Sequence, residues 1–311
     1  MKTAIVFPGQ GSQAVGMGKE FYDNFSSAKE VFQQVDDVLK VKLSDIMFNG
    51  PADELTKTQN TQPALMAVSI AMIRVIEKDF GKNFVDLCSF TAGHSLGEYS
   101  ALCAAGAIDL NYTAELLKFR GSAMAKCGQE KSGAMAAILG VDIDVVNEIV
   151  SEAAAGQICQ IANDNSVGQV VISGEVDAIN RACEIAKEKG AKRALPLPVS
   201  GAFHSELIKE AQENMQNFID ASKISKPLVT VVPNVNVTPT DDPTQIANNL
   251  VNQITGTVRW RETMLFLNDN GVEQVVEIGS GKVLSGLVSR TCKEISAKSL
   301  QTIADLEEFL K

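Results

Sequence analysis

The chain of 311 residues contains only two histidines, His94 and His204. A metal site built from several imidazoles therefore has no donors to draw on. The six cysteines, at positions 88, 103, 127, 159, 183 and 292, include no C-x-x-C and none at metal spacing from a histidine. They read as buried, reduced thiols. Positive charge is also scarce, with 28 Lys+Arg against 38 Asp+Glu and a formal net charge of -10. That balance excludes the basic footprint of a nucleic-acid binder. The longest apolar stretch, PALMAVSIAMIRVI, is interrupted by Ser69 and Arg74, and a membrane span needs about 20 apolar residues. AIVF, before Pro8-Gly9, falls short of the roughly 7–15-residue apolar region of a secretory signal. A soluble cytoplasmic protein is expected, without nucleic-acid or membrane partners.

Hydrophobic residues make up 45% of the chain and charged residues 21%, ordinary proportions for a globular protein with a substantial core. Thr3–Phe7 reads as a buried strand ended by Pro8-Gly9, and a helical pattern runs from about Gln62 to Phe80. Val85–Ala92 is the next strand expected, changing to helix within GHSLGEYSALCAAGA. Asp109 is placed to cap a helix reaching about Lys126. The segment 131–198 then reads strand, helix, strand, strand, helix, strand, the ferredoxin-like order. Alternating helices and strands resume, with strands at Leu228–Val232 and, last, Val272–Ile278 before a helix near Lys282. The expected fold is α/β. Residues 1–130 and 199–311 form one discontinuous domain with a mostly parallel sheet, and 131–198 form an inserted subdomain.

Four motifs bear on chemistry. Gly9-x-Gly11-x-x-Ala14 follows a strand, but the acidic pair expected of a dinucleotide site, Asp36-Asp37, falls in the helical pattern VFQQVDDVL. The glycines therefore read as a turn whose backbone N–H groups face a cleft. Gly93-His94-Ser95-Leu96-Gly97 is a G-x-S-x-G placed between strand and helix, the context a nucleophile elbow requires. Ser95 would stand at a helix N-terminus, beside the Leu96 N–H, where an oxyanion is stabilised. A serine alcohol needs a base. His94 adjoins Ser95 and points elsewhere, which leaves His204 in GAFHSEL. Arg120, among apolar and small neighbours, reads either as a solvated helical residue or as a cleft cation that selects a carboxylate. Gly279-Ser280-Gly281-Lys282 lacks the Walker spacing and reads as a turn that opens a helix.

In order, FPGQGSQ at 7–13, TQPAL at 61–65, GHSLGEYSAL at 93–102, R-G-x-A-M at 120–124, GAFHS at 201–205 and EIGSGKVLSGL at 277–287 resemble the malonyl-CoA:acyl-carrier-protein transacylases of type II fatty-acid synthesis. The resemblance covers essentially the whole chain. It implies an α/β-hydrolase-like large domain with an inserted ferredoxin-like subdomain. It also implies an enzyme that moves malonyl from malonyl-CoA to holo acyl carrier protein by a two-step exchange, with coenzyme A only as part of the substrate and no metal or other cofactor. Ser95 would carry the acyl ester and His204 would be its base, oriented by the backbone carbonyl of Gln253. Gln10 and Leu96 would supply the oxyanion-hole N–H groups. Arg120 would hold the malonyl carboxylate, with Gln62 in the same pocket, and Phe203 would crowd a 2-methyl branch. A serine esterase or thioesterase of α/β-hydrolase type and a non-catalytic carrier-protein-binding module are the alternatives. The usual hydrolase order, with histidine near the C-terminus, is not followed here. The chain is expected to act as a monomer. Lys192, Arg193, Arg259, Arg261, Lys282 and Arg290 are candidates for a local basic face toward an acidic carrier protein.

Overall fold

The computed structural model describes residues 1–199 and 201–311. Its larger sheet grows from the apolar run Thr3–Phe7 (β1), in which all five residues are buried. A strand buried on both faces needs parallel neighbours with helices above and below, and that is what forms. Phe90–Gly93 (β2), Thr230–Val232 (β7), Gln274–Ile278 (β8) and Ser296–Leu300 (β9) join β1 in the order β7-β2-β1-β8-β9, and every pairing is parallel.

Two expectations are corrected. The strand expected over Val85–Ala92 is β2 alone, because Phe84–Leu87 is a short helix that buries Phe84. The Asn83 side chain bonds Asp86 at 2.8 Å, holding this turn. Parallel register with Ala4–Phe7 then uses only Phe90–Gly93. Val272–Ile278 is not the last strand either. The weakly apolar SAKSL is recruited as β9 by pairing with β8 rather than by its own propensity. A helix at Ile303–Phe309 follows, closed by a Thr302/Asp305 capping box.

The second sheet is antiparallel: Gly133–Leu139 (β3), Cys159–Ser166 (β4), Gln169–Glu175 (β5) and Arg193–Pro196 (β6), ordered β4-β5-β3-β6. Helices Ile143–Ala154 and Val176–Glu188 pack on it around Ile138, Val146, Ile149, Ile172 and Ile179. β4 runs beyond the expected Ile158–Ala162 into the polar Asn163-Asp164-Asn165-Ser166. Its backbone there bonds Val258, from Asp164 N–H at 3.0 Å and to Ala162 O at 2.8 Å. The antiparallel sheet is thereby fastened beside the parallel one. Among the described residues no helix is long and apolar enough to cross a membrane.

The helix Thr58–Lys78 is buried along almost its whole length, and the Asp109-capped helix Leu110–Glu130 lies against it. Gly121 lets them meet. A Cβ there would stand 2.7 Å from both Gln59 Cα and Thr58 O, so the backbones could not approach as closely. Gly121→Ala is expected to cost about 1–3 kcal/mol through overpacking, seen as a lower denaturant midpoint. An unchanged midpoint would refute this account of the helix contact.

Candidate active site

The ends of three neighbouring parallel strands build the centre of the site, as expected at the carboxyl edge of such a sheet. β1 runs into the Gly9-Gln10 turn, β2 into Ser95, and β7 into Asn234. Ser95 sits at φ 54° between β2 and the helix Gly97–Ala104, a left-handed conformation that a non-glycine residue adopts only under constraint. The flanking glycines make that turn possible. A Cβ on Gly93 would collide with the Gly97 backbone, and one on Gly97 with Phe7 O. Asn234 clasps the turn from both sides, accepting from Ser95 N–H at 2.8 Å and donating to Gly93 O at 2.8 Å.

Ser95 Oγ lies 2.8 Å from His204 Nε2, and His204 Nδ1 lies 2.8 Å from the Gln253 carbonyl oxygen. A carbonyl only accepts, so Nδ1 carries the proton and Nε2 faces Ser95 with its lone pair. His204 is also at positive φ, 56°. Burial, helped by the nearby Arg120 charge, lowers its pKa to about 3, which keeps the imidazole neutral and able to accept the serine proton. His94 does turn away: its Nε2 meets Asn165 Oδ1 at 2.8 Å and its ring packs beside Trp260.

Arg120 is 1% exposed. Its Nη1 donates to Gln62 Oε1 at 2.7 Å, and its Nη2 to Gln253 Oε1 at 2.8 Å and Ser95 Oγ at 3.0 Å. The guanidinium lies over the Tyr99 ring, 5.5 Å from its centroid. Burial lowers its pKa, opposed by Tyr99 and Glu98. Among the described residues no carboxylate forms an ion pair with it. The solvated-surface reading of Arg120 is therefore excluded. A buried cation hydrogen-bonded to neutral oxygens next to a serine keeps the capacity to pair with an anion.

These side chains open onto a cavity of about 130 Å³ that is also lined by Gln10, Leu96, Met124, Met135 and Phe203. Among the described residues the main-chain N–H groups of Gln10 and Leu96 bond no acceptor of the chain, so both remain available beside Ser95. All eight expected site residues are thus in or around one cavity, Gln253 beneath it. Among the described residues no group of three or more His, Cys, Asp or Glu could hold a metal ion.

Of the six cations expected to form a basic face, Arg261 bonds Asp164 at 2.9–3.0 Å, Arg259 pairs with Glu262, and Arg290 donates to Gln169 at 2.6 Å.

Residues 4–307 match the family described as Acyl transferase domain. A malonyl CoA-acyl carrier protein transacylase of Bacillus subtilis (strain 168) is 45% identical over 100% of this chain and 98% of its own length. This chain belongs to the malonyl CoA-acyl carrier protein transacylases. An acyl-carrier-protein-S-malonyltransferase structure from Bartonella henselae superposes with a TM-score of 0.95 at 51% identity, covering 100% of this chain and 98% of the other. A malonyl-transacylase solved in complex with a type II PKS acyl-carrier protein gives a TM-score of 0.94 at 41% identity, covering 100% and 99%.

Three residues around the transacylase site escaped the sequence reading: Asn234, Asn165 and Glu98. Glu98 is 2% exposed, and burial pushes its carboxyl up to about 7, against the bonds from Asn234 and Gln253 and the Arg120 charge. Asn234 and Asn165 carry no motif. Glu98 stands within GHSLGEYSAL, and its helical position after Gly97 was the available signal.

The depressed His204 pKa has two consequences with a definite sign. If neutral His204 activates Ser95, labelling of Ser95 by a fluorophosphonate should keep its rate well below pH 6.5, with an acid limb centred at about 3. A limb near 6.5 would contradict the buried environment. In the unfolded chain the same imidazole takes its proton near 6.5. Its contribution to stability is therefore complete above that pH and drains away as the pH falls toward 3.

Proposed function

We propose that this chain transfers malonyl from malonyl-CoA to the pantetheine thiol of holo acyl carrier protein through a malonyl-Ser95 ester. The observation that carries this reading is the buried Arg120, without an ion pair among the described residues and hydrogen-bonded to Ser95 Oγ. Malonyl is an acyl group with a carboxylate of its own. Its bidentate pairing with Arg120, supported by Gln62, puts the thioester carbon over Ser95. His204 Nε2 takes the serine proton as Oγ attacks. The Gln10 and Leu96 N–H groups receive the charge on the carbonyl oxygen. The Gln253 carbonyl stabilises the imidazolium, which then protonates the departing thiolate of coenzyme A. In the second half, His204 takes the proton of the incoming pantetheine thiol and returns it to Ser95 as the ester breaks. The chemistry calls for no metal or redox cofactor. Phe203, 6% exposed at the cavity wall, disfavours a branch at C2, a contrast worth about 1–3 kcal/mol.

The reading extends to organisation. Residues 1–130 and 199–311 form the α/β-hydrolase-like catalytic domain and 131–198 the ferredoxin-like insert, supported by the strand order β4-β5-β3-β6. The protein works in the cytoplasm as a monomer. A simple hydrolase is disfavoured by the same Arg120, because water as acceptor gives no reason to retain a carboxylate receptor beside the nucleophile. A non-catalytic binding module has no use for the 2.8 Å Ser95–His204 contact.

Intact mass after mixing with malonyl-CoA should show a single malonyl adduct that disappears in Ser95→Ala and discharges on holo acyl carrier protein. An adduct that survives Ser95→Ala, or free malonate released as fast as carrier protein is loaded, would sink the proposal. Arg120→Ala should lower malonyl transfer by about two orders of magnitude or more, on the scale of a lost charged contact, while acetyl transfer falls far less. Equal losses for both acyl groups would remove the carboxylate role.

A further inference from the structure

We infer that Glu98 is a positioning residue for the acyl clamp: it dictates which way the Gln253 amide faces, and through that amide it aims Arg120 at Ser95. The inference rests on the transfer reading above. Glu98 lies one residue into the helix Gly97–Ala104 and forms no ion pair among the described residues. A single carboxylate oxygen, Oε2, accepts from Gln253 Nε2 at 2.6 Å and from the Asn234 backbone N–H at 3.0 Å.

Gln253 is fully buried and its amide has two possible orientations. In the observed one, Nε2 faces Glu98 Oε2, Ser95 O at 3.0 Å and Asn234 Oδ1 at 3.3 Å, while Oε1 accepts from Arg120 Nη2 at 2.8 Å. The opposite orientation would set an amide oxygen against a carboxylate and an NH₂ against a guanidinium. Both are repulsive in a site with little water to screen them. Of the three oxygens around Nε2, Glu98 Oε2 makes the shortest contact, 2.6 Å against 3.0 and 3.3 Å, so it has the largest share in selecting the flip. The same oxygen also ties down Asn234, whose side chain clasps Gly93 and Ser95. One buried carboxylate thus joins the carboxylate receptor to the nucleophile elbow without touching the acyl group.

This arrangement separates positioning from mere stability. Acetyl has no carboxylate and makes no use of where Arg120 points, whereas malonyl does. Glu98→Leu removes the acceptor. Glu98→Gln keeps one side-chain oxygen that can take both N–H donors. Single-turnover acylation of Ser95 by malonyl-CoA and by acetyl-CoA is measured on the full chain, normalised to active sites counted by fluorophosphonate labelling. Glu98→Leu should lower the malonyl-over-acetyl ratio by about tenfold, mainly through a raised KM for malonyl-CoA, and Glu98→Gln should recover most of that ratio. In a Gln253→Leu background, which keeps the backbone carbonyl on His204, Glu98→Leu should change the ratio no further. Equal losses for both substrates, or additive effects in the double variant, overturn the inference. If Glu98→Leu does not fold, Gln253→Leu alone decides, and an unchanged ratio there overturns it. Wild-type protein that fails to acquire malonyl defeats the transfer reading itself, whereas normal wild-type loading with unaltered ratios in the variants defeats only the role of Glu98.

Discussion

The site is organised around one electrostatic fact: Arg120 is a buried guanidinium that no carboxylate among the described residues ion-pairs. Removing such a charge from water is costly. Here the cost is offset by neutral oxygens on Gln62, Gln253 and Ser95 and by the face of Tyr99. None of these partners cancels the charge, which leaves the remaining attraction for the substrate. Burial, with the same cation as a smaller contributor, lowers the basicity of His204 and keeps its imidazole unprotonated. The burial that leaves Arg120 without an ion pair among the described residues also keeps the His204 imidazole neutral.

The rest of the fold serves that placement. The Gly121 contact brings Arg120 on one helix beside Gln62 on the other. Parallel pairing of β7, β2 and β1 brings Asn234, Ser95 and the Gly9-Gln10 turn to the same sheet edge. The antiparallel sheet contributes the second wall, through Met135 on β3 and Asn163 on β4. It also steadies the His204 loop, because Gln160 on β4 donates to His204 O at 3.4 Å and accepts from Glu206 N–H at 2.9 Å. Glycine at 93 and 97 permits the strained serine turn, and Asn234 holds it closed.

Much of this was legible in residue order. G-x-S-x-G between an apolar strand and a helix marks an elbow, because only small residues allow the two backbones to cross so closely. With two histidines in the chain, the base could be chosen by elimination. The mistakes have equally local causes. Phe84–Leu87 is apolar enough to pass for strand, but the Asn83–Asp86 contact makes it a helical turn. SAKSL has weak strand character and becomes β9 only because β8 offers an open edge.

By itself the sequence pointed to the family, to Ser95 and His204 as candidate nucleophile and base, and to the alternation of helix and strand, since each depends on residue type and near-neighbour spacing. Tertiary structure alone showed that Glu98 sits behind Gln253, and it supplied the contacts, expected only from the resemblance, of Arg120 with Ser95 and of His204 with the Gln253 carbonyl. Those relations join residues 25 to 155 positions apart. Their outcome depends on burial, which converts a solvated charge into a receptor and an ordinary glutamate into a strut.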